Sequence, residues 1–370
     1  MIKSPAHFVP VIFSIVFTLL LLSCQPGKHK ILVGTYTAGE SEGIYLCSFD
    51  ENKEVLSLDG LAANAKDPSF LALTRRGGHV YAVSETWEGS VLSFTWDGTQ
   101  LVQNGSKPVK GDHPCYIDIN PDQSLIAVAN YSSGNFSVIK SVEDGSLQGD
   151  PVSWQHTGKG TDTIRQEGPH AHCAKWVGNK ALLIVDLGID YIIPYTVDND
   201  LKITKVNEGI KMKEGCGPRH IVLHPSKNMV YATCELSNEV AVMEFDPQTL
   251  ELTAVQYIST LPEGFRGSNN NADLHITPGG KYLYVSNRGH DSLAAFRITG
   301  TGQLEPVGHF PVRGEKPRNF TILPGGKHLL VANQDSDNIV AFRINSTDGS
   351  LAFTGSEIEV PSPVCLKSFR

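Results

Sequence analysis

Asn271–Ser292 reads NADLHITPGGKYLYVSNRGHDS, and Pro317–Phe342 reads PRNFTILPGGKHLLVANQDSDNIVAF. Both hold a short apolar strand, a TPGGK or LPGGK turn, a very apolar second strand, and a polar turn that leads into a third. β-Branched and aromatic runs between Gly, Pro, Asn and Asp clusters are the strand signal. The same unit opens upstream as DPSFLAL from Asp67, HPCYIDI from His113, GPHAHCAK from Gly168 and GPRHIVL from Gly217. Its second strands are HVYAVSE, LIAVANY, ALLIVDLG and MVYATCE, and its third strands include SVLSFTW, NFSVIKS and EVAVMEF. Successive openings lie roughly 45–55 residues apart, the length of a four-stranded propeller blade.

Six full units are visible, and the two ends of the chain supply the rest. ILVGTY from Ile31 matches a second strand, GIYLCSF a third and VLSLDGL a fourth, with no first strand before them. The C-terminal SPVCLKSF matches a first strand with nothing after it. The last strand therefore pairs beside the N-terminal three and closes a seventh blade, which removes the open sheet edges. The expectation is an all-β, seven-bladed β-propeller of four-stranded blades, one domain over residues 31–370.

Ahead of it, Lys3 is followed by the uncharged apolar run Phe8–Leu22 and then by Leu21-Leu22-Ser23-Cys24. The run has the length of a signal-peptide core and is too short for a stable span. It resembles a bacterial lipobox. Residues 1–24 are read as a lipoprotein signal with Cys24 lipidated, and residues 25–30 as a short tether. Gln25, in place of an Asp, points to the outer membrane. The membrane contact is then through the lipid alone.

A formal charge of −8 without a basic patch argues against a nucleic-acid partner. Cys24 leaves six other cysteines, an even number that permits disulfides. Cys115, Cys173 and Cys365 fall on predicted inner strands, where a buried thiol is the commoner outcome. There is no CxxC and no G-x-S-x-G elbow, so no covalent nucleophile is indicated.

In a propeller the inner strand of each blade lines the central channel. The start of strand one and the end of strand two share one face of the disc. Aligning the repeats gives a ring after each opening Pro: Ser69, Cys115, His170, Arg219, Ala272, Arg318 and Val364. A second ring closes strand two: Thr35, Glu85, Asn130, Asp186, Glu235, Asn287 and Asn333, with Tyr36, Tyr131 and Arg288 one position on. Arginines bind carboxylate or phosphate through bidentate forks and stabilise a developing oxyanion, and a His or Glu beside them can activate water.

The stretches GPHAH (Gly168–His172), DLGID (Asp186–Asp190), GPRHIVLHP (Gly217–Pro225) and the ELSN segment at Glu235 resemble the bacterial lactonase-type propellers, the seven-bladed 6-phosphogluconolactonases. The two stretches quoted first complete that set. Fungal carboxy-cis,cis-muconate lactonising enzymes are similar. The resemblance covers essentially the whole mature chain. It implies hydrolysis of a sugar lactone without a cofactor, at His170, Arg219, Glu235 and Arg288. Arg219 and Arg288 would hold the anion and polarise the ester, and His170 or Glu235 would deprotonate water. His172, two residues on, is read as a packed core His or a substrate contact. His220, Asp273, His275, Arg318, Asn130 and Asn287 would complete the pocket. The family's usual substrate is made in the cytoplasm, whereas this chain carries an export signal, so an unphosphorylated or acidic sugar lactone fits better. Three alternatives stand beside it. One is a non-catalytic envelope propeller that binds glycan or protein. Another is a metal-dependent gluconolactonase, since Glu85, Asn130 and Asp186 suit a hard cation. The third is a muconate-type lyase.

Overall fold

The computed structural model describes residue 1, residues 27–75 and residues 77–369. The signal segment, Cys24 and the start of the tether lie outside the described residues. Every regular element among those described is a strand, and none of them forms a helix long and apolar enough to cross a membrane.

Seven antiparallel sheets surround a central axis. Blades 1 to 6 begin with inner strands Leu71–Leu73, Pro114–Ile119, Ala171–Val177, Pro218–Leu223, Asn270–Ile276 and Pro317–Ile322. In blade 7 the inner strand is the C-terminal Pro363–Phe369. It pairs with Lys28–Thr35, which continues into Gly43–Asp50 and Val55–Asn64. Leu32 pairs with Lys367 and Val33 with Leu366. Closure by both chain ends is as the repeat count requires. Blade 3 alone splits its outer edge, into Ile203–Lys205 and Ile210–Lys211.

Burial follows strand position. The second strands Leu125–Asn130, Met229–Cys234 and His328–Asn333 are buried at every residue, because neighbouring blades cover both faces. The outer strand Leu351–Glu359 alternates between half-buried and exposed, as a strand with one wet face should. All six described cysteines are free and buried.

Two backbone devices shape the face that carries the site. Inner strands start with a bulge that leaves one or more residues out of the ladder. Pro114 pairs with Asn130 but Tyr116 with Ala129, and Pro317 pairs with Asn333 but Asn319 with Ala332. Blades 3, 4, 5 and 7 show the same shift. A bulge re-aims the extra side chain, here towards the channel. The residue before the opening Pro is held at positive φ in five blades: Asp67, His113, Gly217, Lys316 and Ser362.

The asparagines that end the second strands brace these corners. Asn130 Nδ2 donates to Asn135 Oδ1 (2.8 Å), and Asn333 Nδ2 to Asn338 Oδ1 (3.0 Å). Gly111 and Gly314 pass so close that a Cβ on either would stand 2.4 Å from the Asn amide nitrogen.

Candidate active site

The bulges correct the ring alignment in two places. In blade 3 Ala171 pairs with Asp186, as Pro114 does with Asn130. Leu187 N donates to His170 O, whereas Tyr131 N donates to His113 O and Gln334 N to Lys316 O. The Pro of GPHAH therefore stands two residues early. His172, not His170, occupies the bulge beside Cys115, Arg219 and Arg318. At the end of strand two, Pro218 pairs with Cys234, so Glu235 lies one position beyond Asn130. Glu85 and Glu235 thus belong with Tyr36, Tyr131 and Arg288, not with the bracing asparagines.

Together the bulge ring and this outer ring enclose a cavity of about 190 Å³ on the channel axis, lined by Glu85, Cys115, Tyr131, Arg165, His172, Glu235, Arg288 and Arg318. Arg165 comes from outside the repeat, on the 156–170 connection between blades 2 and 3. Its loop is pinned by Gln166, fully buried, whose Nε2 donates to Leu187 O (2.8 Å) and Asp190 Oδ1 (2.8 Å). The Asp162 carboxylate accepts from Ile164 N (2.9 Å) and Arg165 N (3.0 Å) and closes the turn.

Glu235 is the centre of charge. Its Oε1 meets Arg165 Nη2 at 2.8 Å, and its Oε2 meets Arg219 Nε at 3.0 Å and Arg288 Nη2 at 2.9 Å. Burial pushes its pKa up, but Arg288, Arg219 and Arg165 outweigh it and hold the carboxyl at about 2. Arg219 sits behind the cavity wall and also donates to Ala272 O at 2.7 Å. Arg288 donates to Asn271 O at 2.9 Å, and burial lowers its pKa to about 10, which leaves it charged at neutral pH.

Across the cavity the charges are arranged differently. Arg318 Nη2 donates to Tyr36 OH (2.8 Å), and its guanidinium lies 5.2 Å from that ring. Among the described residues it forms no ion pair. Tyr36 OH donates in turn to Glu85 Oε2 (2.9 Å), and Ser69 Oγ donates to the same oxygen. Burial raises the Glu85 pKa, against the opposing pull of Arg318, Ser69 and Tyr36.

The other expected residues divide. His172 lines the cavity with Nδ1 3.6 Å from Cys115 Sγ. Burial, then Arg219, His220 and Arg318, keep it neutral, well below the usual imidazole range. His170 stacks on Tyr131 at 4.5 Å, donates to Tyr131 O through Nδ1 (2.9 Å), and meets Glu167 through Nε2 (3.3 Å); its ring is engaged by these neighbours and does not line the cavity. His220, Asp273 and His275 form a relay below the cavity: His220 Nδ1 to Asp273 Oδ1 at 2.9 Å and His275 Nε2 to Asp273 Oδ2 at 2.9 Å. Asn287 is turned into the blade, towards Thr260 O (2.9 Å). The proposed cation ligands do not converge. Asn130 braces its hairpin, Asp186 binds His156 Nδ1 (2.7 Å) and His170 N (2.8 Å), and only Glu85 reaches the cavity. Among the described residues no group of three or more His, Cys, Asp or Glu side chains could hold a metal ion.

Alignment of repeats could not reveal Arg165, which no repeat contains. The signal available was the length of its polar connection, since long structured loops in compact domains are commonly functional.

Comparison with known proteins agrees with this architecture. The family described as "Lactonase, 7-bladed beta-propeller" matches residues 30–368. A 6-phosphogluconolactonase of Bacillus subtilis is 34% identical over 345 residues, covering 92% of this chain and 98% of its own. Among solved structures, a putative 6-phosphogluconolactonase of Bacteroides fragilis superposes with a TM-score of 0.86 at 31% identity, over 94% of this chain and 99% of its own. The periplasmic gluconolactonase PpgL of Pseudomonas aeruginosa superposes at 0.87 with 29% identity, over 93% and 99%. With family match, identity and fold in accord over nearly the whole described chain, the protein belongs to the lactonase family of seven-bladed β-propellers.

Proposed function

We propose that this protein is a lactone hydrolase, opening a sugar lactone to its aldonic acid in the arginine-lined cavity. The observation that carries this is the charge pattern. Three arginines line one small cavity with a fourth behind it, and Arg318 lacks a carboxylate partner among the described residues. Arg318 reaches the Glu85 carboxylate only through Tyr36 OH, so its guanidinium keeps donors for an anion entering the cavity. Arg318 takes the substrate's acidic group. Arg165 and Arg288, held in place by Glu235, present N–H donors to the ester carbonyl, where negative charge develops as water adds. Relatives called 6-phosphogluconolactonase and gluconolactonase support the reaction class.

The sequence of residues 1–24 supports export with lipidation at Cys24, and the relative from Pseudomonas aeruginosa is described as periplasmic. On this account the protein works in the cell envelope, anchored to the outer membrane. It then meets unphosphorylated sugar lactones, with an acidic one favoured by Arg318. The test is acid release from glucono-lactone, its 6-phosphate and a uronic-acid lactone, corrected for spontaneous opening. Enzymatic hydrolysis with the highest kcat/KM for an anionic lactone is expected. Well-folded protein that opens none of the three overturns the proposal.

A further inference from the structure

We propose that Glu85 is the residue that activates water in this cavity. This rests on the lactone-hydrolase function above and adds to it the group that moves the proton. The cavity contains two carboxylates, and their surroundings divide the work between them. Glu235 spends both oxygens on Arg165, Arg219 and Arg288. Accepting a proton there would strip three arginines, one of them the buried Arg219, of their shared counter-ion. Glu85 has no ion pair among the described residues. Tyr36 OH and Ser69 Oγ both donate to its Oε2, and among the described residues none donates to Oε1 of this cavity-lining side chain.

The hydrogen-bond order is fixed by chemistry. Arg318 can only donate, so Tyr36 OH accepts from it and must direct its own proton to Glu85. That fixes the carboxylate and aims its free oxygen, the arrangement a general base requires. The groups that face Glu85 are Tyr36, Arg318, His113 and Cys115. Burial outweighs them and moves the Glu85 pKa towards neutrality, while Glu235 is held at about 2. A carboxylate of higher pKa is the stronger base.

The step balances within the cavity. Glu85 Oε1 takes one proton from water as the water oxygen bonds to the lactone carbonyl carbon, and the carbonyl π pair moves onto its oxygen. The pair returns as the ring C–O bond breaks. The leaving ring oxygen receives the proton back from Glu85, and the new carboxylic acid ionises to solvent. No redox partner is involved.

The experiment compares wild-type protein with Glu85→Gln and Tyr36→Phe, reading kcat and KM against pH. Glu85→Gln should lower kcat by about 10²–10⁴-fold, with little change in KM and a melting temperature near wild type. Tyr36→Phe removes a donor to the charged form and should move the acid limb of the kcat/KM profile upward by about one pH unit, in a chain that still folds. If Glu85→Gln keeps kcat within a few-fold, or if Tyr36→Phe leaves the acid limb in place, Glu85 is not the base although the hydrolase stands. If the wild-type protein opens no lactone, hydrolase and base fall together.

Discussion

Replacing Glu235 by Gln should destabilise the whole propeller, because the carboxylate is the shared counter-ion of Arg165, Arg219 and Arg288, and it is buried together with Arg219. The Glu235 side chain is 4% exposed and that of Arg219 3%, and the three contacts to arginine span 2.8–3.0 Å. Removing one partner of a buried pair typically costs about 3–5 kcal/mol. An independent figure comes from titration: a carboxyl held at about 2 instead of 4.5 corresponds to about 3 kcal/mol. The entropy of unfolding for a domain of this length is about 0.7 kcal/mol/K. Glu235→Gln should therefore lower the melting temperature by about 4–7 °C at neutral pH. The folded-state pKa is depressed, so this stabilisation is present above pH 4.5 and is lost as pH falls towards 2. Calorimetric melts of both proteins from pH 7 to pH 3 should show the gap narrowing in the acid range. A variant that melts with wild type at pH 7, or a gap that stays constant down to pH 3, refutes Glu235 as the charge centre.

Three further outcomes follow from the same geometry. Deleting residues 363–370 removes the inner strand of blade 7, whose Val364, Cys365 and Leu366 are buried, and bares the edge of Lys28–Thr35. Circular dichroism should show loss of the cooperative melt; a sharp transition near that of the full chain would contradict closure by this strand. Gly314→Ala places a methyl 2.4 Å from Asn333 Nδ2 and should cost about 1–3 kcal/mol by overpacking. Gly279→Ala, with open space around its Cβ, should melt like wild type. Arg318→Ala should raise KM for an anionic lactone about ten- to hundredfold and leave a neutral lactone nearly unaffected. Equal effects on both would remove Arg318 from anion recognition.

The propeller was legible because its signal is repeated. Six units in register and two half-units at the chain ends leave one way to close the ring. The rings of the site were legible only to within a residue or two, since strand alternation carries the register and a bulge interrupts it where the site lies. GPHAH shows the effect. Its Pro suggests the opening of blade 3, but the ladder starts at Ala171, so His172 reaches the cavity and His170 does not. Asn130, Asn287 and Asn333 look like site residues from spacing, yet their amides brace the blades. Glu85 and Glu235 share a ring position and residue type, and only their partners tell them apart. Those partners come from distant segments, Tyr36 and Ser69 for one and Arg165, Arg219 and Arg288 for the other.

The central claim, that this cavity opens lactones, is met most directly by steady-state acid release with wild type and Arg288→Ala under identical conditions. Arg288 lines the cavity and contacts Glu235 at 2.9 Å. Loss of an oxyanion-stabilising donor should lower kcat/KM by at least about 10²-fold, with the fold intact by circular dichroism. Undiminished hydrolysis in the variant, or no hydrolysis by folded wild-type protein, would contradict it.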